Sequence, residues 1–155
     1  MTTREETVKL ARKVSGMVKT YMSVQDDLFR PSLRKILRIP GIYKPVDYEK
    51  NLSALEELRA ELAEIKSAIR QDTPDSSPEE ARFLGNLRGY VSLMTTAAER
   101  LAHICRRLGE RSGGGDYSKD EYVSDMSELR TVQKEHLDAG ARLHEMMKEM
   151  ETPDK

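Results

Sequence analysis

Arg130 and His136 stand six positions apart near the end of the chain. An arginine and a histidine so placed can flank a phosphate ester, the guanidinium stabilising charge and the imidazole moving protons. Metal chemistry meets a stricter test. A di-iron helical bundle needs a Glu followed three residues later by a His on two helices. The residues three before His103, His136 and His144 are Arg100, Gln133 and Ala141, so that class is excluded. His136 and His144 are eight residues apart, about 12 Å along a helix, which is too far to share an ion. Glu61 and Glu64, and Glu135 and Asp138, are carboxylate pairs one turn apart of the kind that hold Mg²⁺ between helices. About seventy residues separate the two pairs, and in Glu-rich helices such pairs read as solvated faces. His136 reads as a hydrogen-bonded core histidine. No metal and no cofactor is expected.

The segment Arg130-Thr-Val-Gln-Lys-Glu-His136 resembles the R-x(4–6)-H spacing of all-α HEPN-type ribonucleases. That resemblance implies a nuclease with Arg130 and His136 as its catalytic pair. The chain departs from the pattern at Thr131, where the family carries Asn, Asp or His. The two carboxylate pairs are similar to those of helical nucleotide pyrophosphatases, which keep their motifs a short helix-turn apart, unlike this chain. There is no Gly-rich phosphate loop, no nucleophile elbow and no Ser/His/Asp set. Gly113-Gly114-Gly115 has no strand before it and no Lys-Ser/Thr after it, so it reads as a linker.

Two basic features stand out. Arg30, Arg34, Lys35, Arg38 and Lys44 lie in a stretch without an acid from Leu28 to Val46, interleaved with Leu33, Ile36, Leu37, Ile39, Ile42 and Tyr43. In residues 81–109, Arg82, Arg88, Arg100, Arg106 and Arg107 stand against Glu99 alone. Arg100, His103 and Arg107 share one helical face, with Arg106 and Arg111 beside it. Arg34, Lys35, Arg38, Lys44, Arg100, Arg106, Arg107 and Arg111 are therefore the candidate contacts to a partner or to phosphates, whose binding is largely electrostatic. The competing account is internal: cations near a helix C-terminus complement its dipole, and a basic helix can sit beside acidic neighbours. Aromatic residues able to stack on bases are sparse, with Tyr43 the best placed.

The charge is segregated along the chain. Residues 1–46 hold ten Lys/Arg against four Asp/Glu, 47–72 four against seven, 78–115 six against four, and 116–155 six against eleven. A net charge of −1 thus conceals a patterned surface field. The single cysteine, Cys105, excludes an internal disulfide and a cysteine zinc site; a buried thiol in a reducing cytoplasm is the expectation. No run approaches the roughly 18 apolar residues of a membrane helix, and the polar start Met1-Thr-Thr-Arg-Glu-Glu6 does not read as a secretory signal.

The elements that position these residues are helical. Leu84, Leu87, Val91, Met94, Ala98, Leu101, Cys105 and Leu108 recur at alternating spacings of three and four, one apolar stripe along a helix face. Ser77-Pro78-Glu79-Glu80 caps its start and Gly109 marks its end. Leu10, Val14, Met17, Tyr21, Val24 and Leu28 define a first helix opened by the capping box Thr3/Glu6. A flanking set, Val8, Ala11, Val18, Met22 and Phe29, widens that face enough to suggest contact with a second subunit. Pro31 ends or bends this helix. Leu52, Leu55, Leu58, Leu62, Ile65 and Ile69 define the second helix. Ser118/Glu121 open a fourth, with Tyr122, Met126, Leu129, Val132, His136, Leu143, Met147 and Met150 on or beside its inner face. Met146, Met147 and Met150 form an adaptable patch at its end.

These patterns predict an all-α, antiparallel four-helix bundle, one domain over 1–155, with helices at about 4–29, 47–72, 78–109 and 118–151. A long ordered crossover spans 30–46 and a flexible loop spans 110–117. Helices two and three should be antiparallel neighbours across the short connection at 72–77. The function expected is a non-enzymatic cytoplasmic interaction module, a homodimer or small subunit of a larger assembly, binding its partner through the basic surface. A nucleic-acid-binding accessory subunit using the same cations is the alternative, a HEPN-like ribonuclease the second. No small-molecule substrate is implied.

Overall fold

The computed structural model describes residues 3–37, 46–72 and 78–151, with side chains over 8–29, 46–69 and 78–149. They form four helices: α1 (Thr3–Leu37), α2 (Tyr48–Asp72), α3 (Pro78–Ser112) and α4 (Lys119–Glu151). The arrangement is an all-α four-helix bundle, as the apolar periodicity requires. α3 is its spine, packing extensively on α2 and α4 and also on α1. All eight residues of the predicted α3 stripe are buried, and Phe83, Ala97, Ala102 and Ile104 join them. Leu55, Leu58, Leu62, Ile65 and Ile69 of α2 and Val14, Met17, Tyr21, Val24 and Leu28 of α1 close the core from two sides. From α4, Leu129, His136, Ala139 and Leu143 are buried. Cross-helix contacts run antiparallel: Glu56 meets Arg106 while Arg59 meets Glu99, and Arg107 meets Glu121 while Arg100 meets Glu128.

Two caps form, the one at Ser118 as its sequence implies and one at Asp47. The Lys50 N–H donates to Asp47 Oδ1 at 3.0 Å and the Glu121 N–H to Ser118 Oγ at 3.1 Å, each satisfying an otherwise unpaired first-turn donor. The side chains of Thr3, Glu6 and Ser77 lie outside the described residues.

Two boundaries differ from expectation. Pro31 neither ends nor replaces α1, which stays helical to Leu37. The ring removes the hydrogen bond to the Asp27 carbonyl and crowds that oxygen, but Leu33, Arg34, Lys35 and Leu37, all good helix formers, carry the helix on. The expected crossover over 30–46 is therefore half helix, and its remainder, residues 38–45, lies outside the described residues. Gly109 does not stop α3. It lies against α2, where a Cβ would stand 3.2 Å from the Tyr48 Cβ, so the glycine serves close helix approach rather than termination. The stop comes at Gly114, which takes φ 99°. The Gly115 N–H donates to the Glu110 carbonyl at 2.7 Å and the Gly114 N–H to the Arg111 carbonyl at 3.1 Å, a Schellman closure of the helix end. Residues 110–117 consequently form no slack loop: the first three extend α3, the glycines fold back on it, and Tyr117 is buried.

Candidate functional site

Three arginines of α3 meet carboxylates at the surface of the bundle. Arg100 pairs with Glu128 of α4. Arg107 pairs with Glu121 of α4 and with Glu110, and donates to the Asp116 carbonyl at 2.9 Å. Arg106 reaches Glu56 of α2 at 3.9 Å, and Glu99 is taken by Arg59 of α2 at 3.4 Å. Arg107 and Arg111 also lie over the Tyr117 ring, 4.8 and 6.0 Å from its centroid, in cation–π range. The basic helix thus sits between two acidic ones. Each exposed pair contributes little alone, up to about 1 kcal/mol, but together they set the register of α3 against both neighbours.

Between α3 and α4 these charges line a polar groove of about 280 Å³ formed by Thr96, Glu99, Arg100, His103, Asp125 and Glu128. His103 Nε2 lies 3.2 Å from Asp125 Oδ2, and the Tyr117 hydroxyl donates to the same oxygen at 2.6 Å. Burial raises the Tyr117 phenol above its ordinary range, and the hydrogen bond and charge of Asp125 add to this against the opposing Arg107. Tyr117 therefore stays a neutral donor that orients Asp125. Among the described residues no cluster of three or more His, Cys, Asp or Glu is placed to hold a metal.

The remaining candidates do not converge on one another. Arg130 is exposed on α4, while His136 is 9 % exposed and stacks on Tyr90 of α3. Six residues of helix turn the two roughly 120° apart, one toward solvent and one toward the core. His136 Nε2 is buried without a hydrogen-bond partner, where sequence reasoning expects a hydrogen-bonded core histidine. Burial pushes its pKa down to about 4. Arg34 and Lys35 ride on the last turns of α1 with side chains outside the described residues, and Arg38 and Lys44 lie wholly outside them. Cys105 is buried, donates to the Tyr48 carbonyl at 3.4 Å, and has its pKa raised to about 11 by burial against the weaker pull of Arg106. It is an inert thiol.

The least finished part of the bundle lies between α1 and α4, the two outer helices that pack least closely as neighbours. A polar clamp bridges them: Gln133 Nε2 donates to Tyr21 Oη at 2.8 Å and to Gln25 Oε1. Toward the other end the seam opens into a cleft of about 210 Å³ with walls from Ala11, Ser15 and Val18 of α1 and from Gly140, His144 and Met147 of α4, floored by Phe83, Leu87 and Tyr90. The large apolar side chains left exposed among the described residues are Met22, at 53 %, Val123, at 56 %, and Leu137, at 72 %. Met22 is seven residues from Ser15 and Leu137 seven from His144, so each shares a flank with a wall of the cleft, whereas Val123 lies about 21 Å along α4 from Leu137. Sequence reasoning finds the α1 half of this surface through the flanking set Val8, Ala11, Val18, Met22 and Phe29. It misses Val123 and Leu137, whose signal is an apolar residue one step away from the inward positions Tyr122 and His136.

No family model matches the chain, and no curated protein or solved structure matches it. No helix among the described residues is long and apolar enough to cross a membrane.

Proposed function

We propose that this protein is a non-enzymatic helical-bundle interaction module of the cytoplasm that associates with a second copy of itself through the α1–α4 face. The observation that carries the reading is that Met22 of α1 and Leu137 of α4 stand exposed on the two helices bordering a seam that the bundle leaves partly open. Contiguous exposed apolar surface favours association because its burial removes it from water. Arg100, Arg106 and Arg107 of α3 support this assignment, since each lies within reach of a carboxylate, Glu128, Glu56 and Glu121, with which a phosphate would compete. The separation of Arg130 from His136 weighs against nuclease chemistry in the same way. The buried, unreactive Cys105 suits a reducing compartment.

Sedimentation velocity over a protein concentration series tests the reading. The expected result is a reversible monomer–dimer equilibrium, shifted to monomer in Met22→Asp and Leu137→Asp, with helical content unchanged. A strictly monomeric protein overturns it. So does nucleic-acid binding that falls steeply with salt, the mark of phosphate contacts.

A further inference from the structure

Apart from the α1–α4 seam, we infer that the outward face of α1 around Gly16 receives an acidic helix of a partner protein, whose carboxylates meet Lys9, Arg12, Lys13 and Lys19.

From Thr7 to Gln25 the chain carries those four cations and no carboxylate. All four are exposed, and no ion pair joins any of them to another described residue. This sets α1 apart from α3, whose Arg100, Arg106 and Arg107 meet carboxylates of neighbouring helices. It also sets α1 apart from α4, where Arg130 and Lys134 alternate with Glu128, Glu135 and Asp138. Gly16, Thr20 and Ser23, at spacings of four and three, are exposed as well and form one row down the middle of the same face. Successive residues turn by about 100°, so Arg12 and Lys19 border this row on one side and Lys13 on the other, while Lys9 continues it toward the N-terminus. The same rotation turns Gly16 away from Ser15, which lines the seam.

The result is a shallow track rimmed with positive charge. Four like charges within about 15 Å of helix repel one another, and carboxylates set among them relieve that repulsion as well as pairing with each. The shape of the track selects a helix. Nothing in the bundle lies within 4 Å of a Cβ at Gly16, and Thr20 returns its hydroxyl to the Gly16 carbonyl at 3.5 Å. The bundle's own packing therefore makes no use of a glycine there, whereas small side chains at helical spacing let a second helix axis come close. The track offers no aromatic ring for a nucleic-acid base to stack on, and no large apolar side chain to enter a lipid surface.

The probe is a fluorescein-labelled, alanine-based helical peptide with glutamates three and four residues apart on one face, titrated with the full chain by anisotropy. The parent is expected to bind it at low salt and to release it as salt rises. An isomeric peptide with the same glutamates spread around the helix should bind roughly fivefold more weakly, because fewer of them reach the track at once. Lys9→Glu/Lys13→Glu should weaken binding of the first peptide by roughly tenfold, since two exposed attractions become repulsions. Gly16→Gln adds bulk to the track while favouring the helix, so it should weaken binding by about fivefold with no loss of thermal stability. Equal binding of the two isomers, or of a DNA duplex of the same charge, would mean a general attraction for anions and overturn the assignment to a helix. Binding that Gly16→Gln leaves intact overturns it too, and no binding at low salt overturns the basic face as a docking surface. Sedimentation of Lys9→Glu/Lys13→Glu should match the parent, which keeps this test distinct from that of self-association.

Discussion

Tyr90 and His136 stack with ring centroids 4.2 Å apart and planes 7° from parallel, joining the middle of α3 to the middle of α4. The contact fits because Gly140, one turn beyond His136, leaves room for the phenol: a Cβ there would stand 3.3 Å from Tyr90 Cε2. The imidazole is held neutral, its Nε2 sealed from water and from any partner.

That burial makes the bundle sensitive to acid. His136 has a pKa of about 4 when folded, against 6.5 as the ordinary value. The unfolded chain therefore takes up the proton first. The stability this neutral histidine maintains is fully present above about pH 6.5 and is lost as pH falls toward 4, by of order 2 kcal/mol. Urea denaturation at a series of pH values should show the loss in the parent. His136→Leu should remove that component over the same window, so the two pH profiles diverge; parallel profiles would discard this account.

Gly109 and Gly16 are both helical, yet alanine should act on them with opposite sign. Nothing lies within 4 Å of a Cβ at Gly16, so Gly16→Ala should raise stability by about 0.5–1 kcal/mol through helix propensity. At Gly109 the added methyl meets the Tyr48 Cβ at 3.2 Å, an atom fixed to the α2 backbone. Gly109→Ala should therefore lose the propensity gain and destabilise by about 1 kcal/mol, in line with overpacking. Thermal melts of the two variants beside the parent decide the point.

Gly114→Ala should fray the end of α3. A side chain is strained at φ 99°, and the Schellman bonds from Gly114 and Gly115 depend on that conformation. The expected cost is about 1 kcal/mol. Faster amide exchange should appear at Gly114 and Gly115 and spread to Tyr117, whose ring packs below Arg107 and Arg111.

Cys105 should resist a thiol reagent in the folded protein at neutral pH. Its thiolate is disfavoured by burial, with a pKa near 11, and only the thiolate attacks. Labelling should become rapid in denaturant, making the thiol a reporter of unfolding. Fast labelling under native conditions would mean that α2 and α3 separate readily at Tyr48.

Much of the bundle was legible in the residues because its signals are local. Side chains three and four apart share a face whatever surrounds them, so the α3 stripe and the inward rows of α1 and α2 could be read directly. The same is true of the cap at Ser118, which needs only a hydroxyl within a turn of a free N–H. The misread positions are those whose role depends on a distant partner. Gly109 looks like a helix stop until Tyr48 is seen against it. The triple glycine looks like a linker until Glu110 and Arg111 accept its N–H groups.

The candidate site divides along the same line. Composition and order along the chain are enough to establish that α3 is basic and that α2 and α4 are acidic. Whether those arginines face a ligand or their own neighbours depends on how each helix is rotated and how high it stands beside the next, and only the packed structure determines that. Arg100, Arg106 and Arg107 meet Glu128, Glu56 and Glu121, contacts that sequence order cannot give because an ion pair is set by separations of a few ångströms between residues far apart in the chain. The helices and their buried faces follow from short-range periodicity. The open α1–α4 seam follows from how four stiff rods fill space around α3, which no single helix encodes.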